Sequence, residues 1–360
     1  MHFGEPVDDD RLLALYRPDE RIATVLTADV YGEGEADRLL GRALDGIERG
    51  SYSLVGAVGH DFYEGERQGP KGFPRFTDSS LRSVRDYAGY LRMATERSLE
   101  RIGVDSFDLL LLHNPDRTGY SSEAVWDGMR ALRDEGLTRL IGVAPGPANG
   151  FTLDLIDCFE RFGEAIDWAM IILNPLEPWP GELVLPAAER HGVKLITRVV
   201  DYGGLFHDDV LEDHEFPRFD HRSFRPAGWV EAGRERLARL RPIADRHGLT
   251  MLQLASLWNL AHVPVECVVP TLIQESGDDA KPVEQKREEL ASLPASEVLS
   301  EAEVAEIRAI GDNTGCMALK GASPEHEGEI QPDRWPLNDE LVELALRWDI
   351  HPGHDLTHTM

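Results

Sequence analysis

Apolar residues along this 360-residue chain follow two alternating rhythms. Short runs rich in Val, Ile and Leu fall at 22–27, 53–58, 107–112, 139–143, 168–173, 194–199 and 266–269, with a weaker one squeezed into 2–4. Between them apolar positions repeat at helical spacing over 9–16, 35–48, 81–102, 122–135, 152–161, 182–191 and 232–246. The unbroken run from Phe107 to Leu112 reads as a strand buried on both faces, and such strands belong to parallel sheets. Strands alternating with helices predict parallel strands joined by crossover helices. Eight strands in one series predict an α/β fold of the closed (β/α)8 TIM-barrel type. A doubly wound open sheet is the runner-up, but no GxGxxG follows a strand.

Extra length sits in three places. The stretches 60–80 and 201–228 both follow strand carboxyl ends, the active face of a barrel, so they are expected to shape a pocket. The third stretch begins at 312. The division expected is a barrel domain over 1–311 and an extension over 312–360 that packs on the barrel and carries a short helix at 338–347.

The formal net charge is −28. Such a field opposes binding to nucleic acid and to anionic membranes. No apolar run is long enough to span a bilayer, and the acidic start MHFGEPVDDDR lacks the apolar core of a secretory signal. Cys158, Cys267 and Cys316 show no pairing pattern, so a reducing cytoplasm is the expected location. The partner expected is a small-molecule substrate, and a homo-oligomer remains open.

Candidate chemistry begins at His113. The stretch Arg101-Ile-Gly-Val-Asp-Ser-Phe-Asp-Leu-Leu-Leu-Leu-His113-Asn114-Pro115 ends a buried strand in a polar side chain, where barrel enzymes keep their reactive groups. It resembles the fourth-strand motif of the aldo-keto reductase superfamily. Glu123 to Val143 resembles the helix and strand that follow, and the likeness runs over roughly residues 20–312. In that family a Tyr donates a proton to a carbonyl, a Lys paired with an Asp lowers the Tyr pKa, and a His orients the carbonyl.

Tyr31-Gly32 matches the Tyr of this set and His113 matches the His. Leu26 stands where the Asp belongs and Ala57 where the Lys belongs. The resemblance therefore implies Tyr31 as proton or hydrogen-bond donor and His113 as the carbonyl-orienting group. Both are expected to face one cavity, with Leu26 and Ala57 lining its floor. Without an ammonium neighbour Tyr31 is expected to titrate near about 10, and His113 near about 6.5.

The resemblance also implies a nicotinamide cofactor, NADP or NAD. Gly142-Val143-Ala144-Pro145 lacks the Ser and Asn that hold the carboxamide in the family. Asn174 sits in a segment resembling the one after the family's sixth strand. Arg198 to Leu205 resembles the turn whose backbone amides meet the pyrophosphate, with Gly204 permitting close approach. Lys281, Gln285 and Glu288 lie in a segment resembling the adenosine-phosphate loop and helix.

The leading expectation is an oxidoreductase acting on a small carbonyl or sugar-like substrate. The competing readings are a non-redox lyase, isomerase or hydratase that uses His113 and Tyr31, and a catalytically silent binding barrel. His207, His214 and His221 share one loop, and His351, His354 and His358 the tail. Their spacing fixes no metal geometry, so no metal site is expected.

Overall fold

Seven parallel strands lie side by side in chain order, each bonded to the next. The structure is a computed structural model that describes residues 3–69, 72–146, 151–211, 214–218, 220–225, 227–294, 298–314, 338–351 and 355. The chain runs α1 (Asp9–Tyr16), β1 (Thr24–Leu26), α2 (Glu35–Leu44), β2 (Ser53–Val58), α3 (Tyr87–Ile102), β3 (Phe107–His113), α4 (Arg117–Ser121), α5 (Glu123–Asp134) and β4 (Thr138–Ala144). It continues through α6 (Thr152–Phe162), β5 (Trp168–Ile172), α7 (Leu185–His191), β6 (Lys194–Arg198), α8 (Trp229–His247), α9 (Met251–Leu260), β7 (Val265–Val269), α10 (Val283–Ala291), α11 (Glu301–Ile310) and α12 (Asp339–Arg347).

Alternation along the strands sorts the apolar residues into two layers, because successive side chains point to opposite faces. Leu26, Ala57, Leu109, Leu111, Met170, Ile196 and Cys267 belong to one apolar cluster that draws on every strand from β1 to β7. The two end strands can share that cluster only if the sheet curls on itself. Leu54, Val58, Leu110, Leu112, Ile141 and Leu195 face the other way, into a larger core with the helices. This is the (β/α)8-barrel fold that the hydrophobic pattern predicts, an α/β architecture with long loops at the strand carboxyl ends.

The weak strand expected at 2–4 is not formed in its described part. Gly4 takes φ +60°, outside the β region. Its amide donates to Asp220 Oδ2 at 2.7 Å, and the Glu5 amide to the Gln274 carbonyl at 2.8 Å. The helix expected over 81–102 starts only at Tyr87, after a turn in which Ser83 Oγ donates to Asp86. Two helices outside the expected set, α9 and α11, each open with a reciprocal capping box, Thr250 with Gln253 and Ser300 with Glu303. No helix among the described residues is long and apolar enough to cross a membrane.

Candidate active site

The carboxyl ends of β1 and β3 bring Tyr31 and His113 together. Tyr31 opens a turn just past β1, its amide bonded to the Ala28 carbonyl at 3.0 Å. Gly32 and Glu33 follow with φ of 60° and 56°. His113 ends β3 opposite Ala144 of β4. The two rings meet edge to face, with centroids 5.6 Å apart at 89°. Tyr31 is 51% exposed and His113 only 7%, so the pair reaches from the barrel interior to solvent. Leu26 and Ala57 lie in the barrel-interior cluster. Gly59 lets the neighbouring backbone close in, since a Cβ there would stand 2.5 Å from the His113 carbonyl oxygen.

A second histidine joins the pair. His60 lies 5.0 Å from His113, ring to ring, at 67°. Its Nε2 is 3.1 Å from Asn114 Nδ2, and its Nδ1 is 2.9 Å from Arg75 Nη1. Arg75 Nε also donates to the Asn114 carbonyl. Asn114 holds φ 47°, a left-handed value that Asn tolerates better than most residues. Nothing in the residue pattern pointed to Arg75.

The electrostatics differ from the expectation for one member of the pair. Burial, then the charges of His60, Arg75 and Arg198, hold His113 well below the usual imidazole range. The step expected near 6.5 is therefore displaced to lower pH. His113 Nδ1 is buried and has no partner among the described residues. Tyr31 is raised above 10 by desolvation, against the opposing pull of Arg198. Asp29 does not stand in for the lost acid. It is fully buried on the helix side, where Tyr63 Oη donates to it at 3.4 Å, and burial together with Asp37 raises its pKa well above the carboxylate range.

Arg198 closes one side of the mouth. Its Nη2 donates to the carbonyls of Pro145 at 3.1 Å and Gly146 at 2.6 Å. Asn174 Nδ2 donates to the Val199 carbonyl at 3.1 Å and its Oδ1 accepts from the Leu176 amide at 3.0 Å. Below it Glu177 is buried, and desolvation pushes its pKa up to about 7 despite nearby Arg225 and Arg198. Glu177 was not singled out in the sequence. A buried acid five residues past a strand has no local signature.

The segments expected to hold a dinucleotide's phosphates are engaged with the chain itself. Gly204 takes φ +98° in a tight turn, but its amide donates to Asp201 Oδ2 at 2.8 Å. Asp201 Oδ1 accepts from the Thr271 amide at 2.7 Å. Leu205 is buried in the core. Lys281 Nζ lies 3.1 Å from Glu289 Oε1, and Glu288 pairs with Arg21 at 2.5 Å. Gln285 is exposed. Behind the turn, buried Arg222 lies between Asp220 at 2.8 Å and Glu275 at 2.5 Å. The mouth, with an orphaned imidazole nitrogen beside a tyrosine, fits a carbonyl and the nicotinamide end of a cofactor.

The loop histidines do not converge. His207 Nε2 lies 2.9 Å from the Thr271 carbonyl, His214 Nε2 3.1 Å from Glu275, and His221 stacks on Phe3 at 5.4 Å. Among the described residues no three His, Cys, Asp or Glu gather as metal ligands. Cys316, His354 and His358 lie outside the described residues.

Comparison with known proteins places this geometry. The model of the aldo/keto reductase family matches residues 19–312. A D-threo-aldose 1-dehydrogenase from a Pseudomonas species is 25% identical over 257 residues, 68% of this chain and 73% of that protein. The solved glycerol dehydrogenase from Gluconobacter oxydans superposes with a TM-score of 0.64 at 22% identity, over 85% of this chain and 86% of that one. An aldo/keto reductase from Klebsiella pneumoniae, solved with NADP and acetate, gives a TM-score of 0.55 at 18% identity, over 90% and 89%. With the family model matching most of its length and the barrel mouth built from the matching strands, this chain belongs to the aldo/keto reductase family.

Proposed function

We propose that this protein is an oxidoreductase that uses a nicotinamide dinucleotide, NADP or NAD, on a small carbonyl or sugar-like substrate. The observation that carries the reading is the edge-to-face pairing of Tyr31 and His113 at 5.6 Å, at the two family positions that handle the carbonyl. Membership of the family and the dehydrogenases and NADP complex among its relatives support it.

A bound nicotinamide would supply or accept the hydride. The remaining work falls to side chains of this chain. Tyr31 holds its proton across the neutral range and donates it, or a hydrogen bond, to the carbonyl oxygen. His113, kept neutral by burial, orients that oxygen. Arg75 and Asn114 fix His60 behind it. Asn174, Arg198, Gly204 and Leu205, with Lys281, Gln285 and Glu288, frame the cofactor side. A cytoplasmic location and action as a soluble enzyme belong to the same reading.

The test is oxidation of NADPH and NADH by a panel of small aldehydes, ketones and sugars, followed by the loss of reduced-nicotinamide absorbance. Turnover that Tyr31→Phe removes supports the reading. A well-folded protein that oxidises neither cofactor with any carbonyl of the panel defeats it.

A further inference from the structure

Residues Phe3 to Glu5 close a ring of contacts beneath the turn that carries Gly204. The Gly4 amide donates to Asp220 Oδ2 at 2.7 Å, and the Glu5 amide to the Gln274 carbonyl at 2.8 Å. Asp220 pairs with Arg222, and Arg222 with Glu275, the neighbour of Gln274. Three segments far apart in sequence are thereby joined: 3–5, the loop after β6 and the loop after β7. Gly203 and Gly204 rest on this ring. The Gly203 carbonyl accepts from Arg222 Nη1 at 3.2 Å. A Cβ on Gly204 would stand 3.0 Å from Glu275 Oε1 and 3.1 Å from Arg222 Nη1.

The links of the ring are unequal. Asp220, Arg222 and Glu275 are buried, and a buried pair is costly to break because it strands a charge. Residues 3–5 contribute two backbone hydrogen bonds and one stacked contact, Phe3 on His221 at 5.4 Å. Phe3 is 41% exposed. The ring therefore opens first at this segment. Its seat is closely shaped: a Cβ on Gly4 would stand 2.2 Å from the Gln274 carbonyl oxygen, so only glycine fits. Further along, Arg11 tethers the same stretch, donating to Glu284 at 2.7 Å and to Gln274 Oε1 at 3.2 Å.

We propose that Phe3, Gly4 and Glu5 are a clasp that sets the rate at which a dinucleotide enters and leaves the cofactor side; this role rests on the oxidoreductase reading above. While seated, the segment steadies the Gly203–Gly204 turn through the ring beneath it. When it lifts, Asp220 loses a donor and the Gln274 backbone loses its tether, so the turn and its flanking loops move more freely. Entry and exit cross the same barrier, so the clasp acts on both rates and little on the balance between them.

The experiment pairs hydrogen–deuterium exchange with stopped-flow NADPH binding, in the wild type, Gly4→Val and Phe3→Ala. Gly4→Val leaves the segment no room on the ring. It is expected to speed exchange in the turn at Gly204 and around Asp220 and Gln274, and to leave the amides of β3 unchanged. Its on-rate and off-rate for NADPH are expected to rise together by about tenfold, as for the loss of roughly one hydrogen bond. Phe3→Ala, which loses only the stacked contact, is expected to raise both rates by about threefold, and it decides the matter if Gly4→Val does not fold. Unchanged rates in a folded variant overturn the proposal, even where exchange is faster. So does a change confined to the off-rate, which marks a cofactor contact rather than a gate. A wild type that binds neither NADPH nor NADH defeats the oxidoreductase reading, and the gating role falls with it. NADPH binding with rates that neither variant alters defeats the clasp alone.

Discussion

Asp201 and Thr271 join the loops that follow the neighbouring strands β6 and β7: the Asp201 carboxylate accepts from the Thr271 amide at 2.7 Å and from the Gly204 amide at 2.8 Å. The turn that holds Gly204 is the one whose amides the family resemblance assigns to a dinucleotide's pyrophosphate. If that turn takes a diphosphate, Asp201 competes with it for the Gly204 amide. Asp201→Ala is expected to lose about 1–3 kcal/mol of stability and to tighten NADPH binding several-fold, read by fluorescence titration beside a thermal melt. Affinity that stays the same or falls in a folded variant would show that Asp201 is not in the way.

Tyr31 sets a flat pH profile. Its hydroxyl is raised above 10 by desolvation, so it stays protonated through the neutral range. Carbonyl reduction should hold level from about pH 6 to about pH 9, and alcohol oxidation should be poor because the phenolate is scarce. Tyr31→Phe should cut reduction by about a hundredfold or more. A rate that climbs or collapses between those limits would point to another proton donor.

Glu177 makes stability fall with rising pH. Its folded-state pKa is pushed up to about 7 from an ordinary value of 4.5. Its contribution is fully present below about pH 4.5 and is lost as pH rises through about 7. Glu177→Gln should match the wild type at pH 4.5 and exceed it at pH 8 by on the order of 3 kcal/mol. Denaturant melts at both values check this, and equal stability at pH 8 contradicts it.

Two cations near the cofactor side should behave differently on truncation. Arg222 is buried between Asp220 and Glu275, so Arg222→Ala should cost about 3–5 kcal/mol by stranding two carboxylates. Lys281 pairs with Glu289 in a partly exposed setting, so Lys281→Ala should cost about 1 kcal/mol or less. Thermal denaturation of both variants decides it, and a severe loss in Lys281→Ala would mark that pair as structural.

The barrel was legible because hydrophobic alternation is a local signal. Phe107 to Leu112 is continuous because β3 is covered on both faces, by the barrel interior and by the helices. Tyr31 and His113 were legible as motif positions, and the register of Tyr31-Gly32 carried through to the ring contact. The environment of His113 was not, because its depressed pKa depends on burial and then on His60 and Arg75 from one loop and Arg198 from another strand. Lys281 was legible as part of a phosphate-loop likeness, but its pairing with Glu289 eight residues on is a matter of side-chain reach, which spacing alone does not settle. The capping boxes that open α9 and α11 were written plainly in the residues.

The packing of α12 on α6 carries a consequence for how the chain is made. Leu341, Leu344, Ala345 and Ile350 join the main core, and Arg347 and Trp348 both bind Glu160 of α6. Everything from β5 to α11 is synthesised between those two partners. While the nascent chain emerges, the barrel can assemble with one outer helix still lacking its cover. An apolar seam then stays open to chaperones, or to other nascent chains, until α12 emerges and docks on α6. A chain cut short before α12 would present a barrel with one adhesive side.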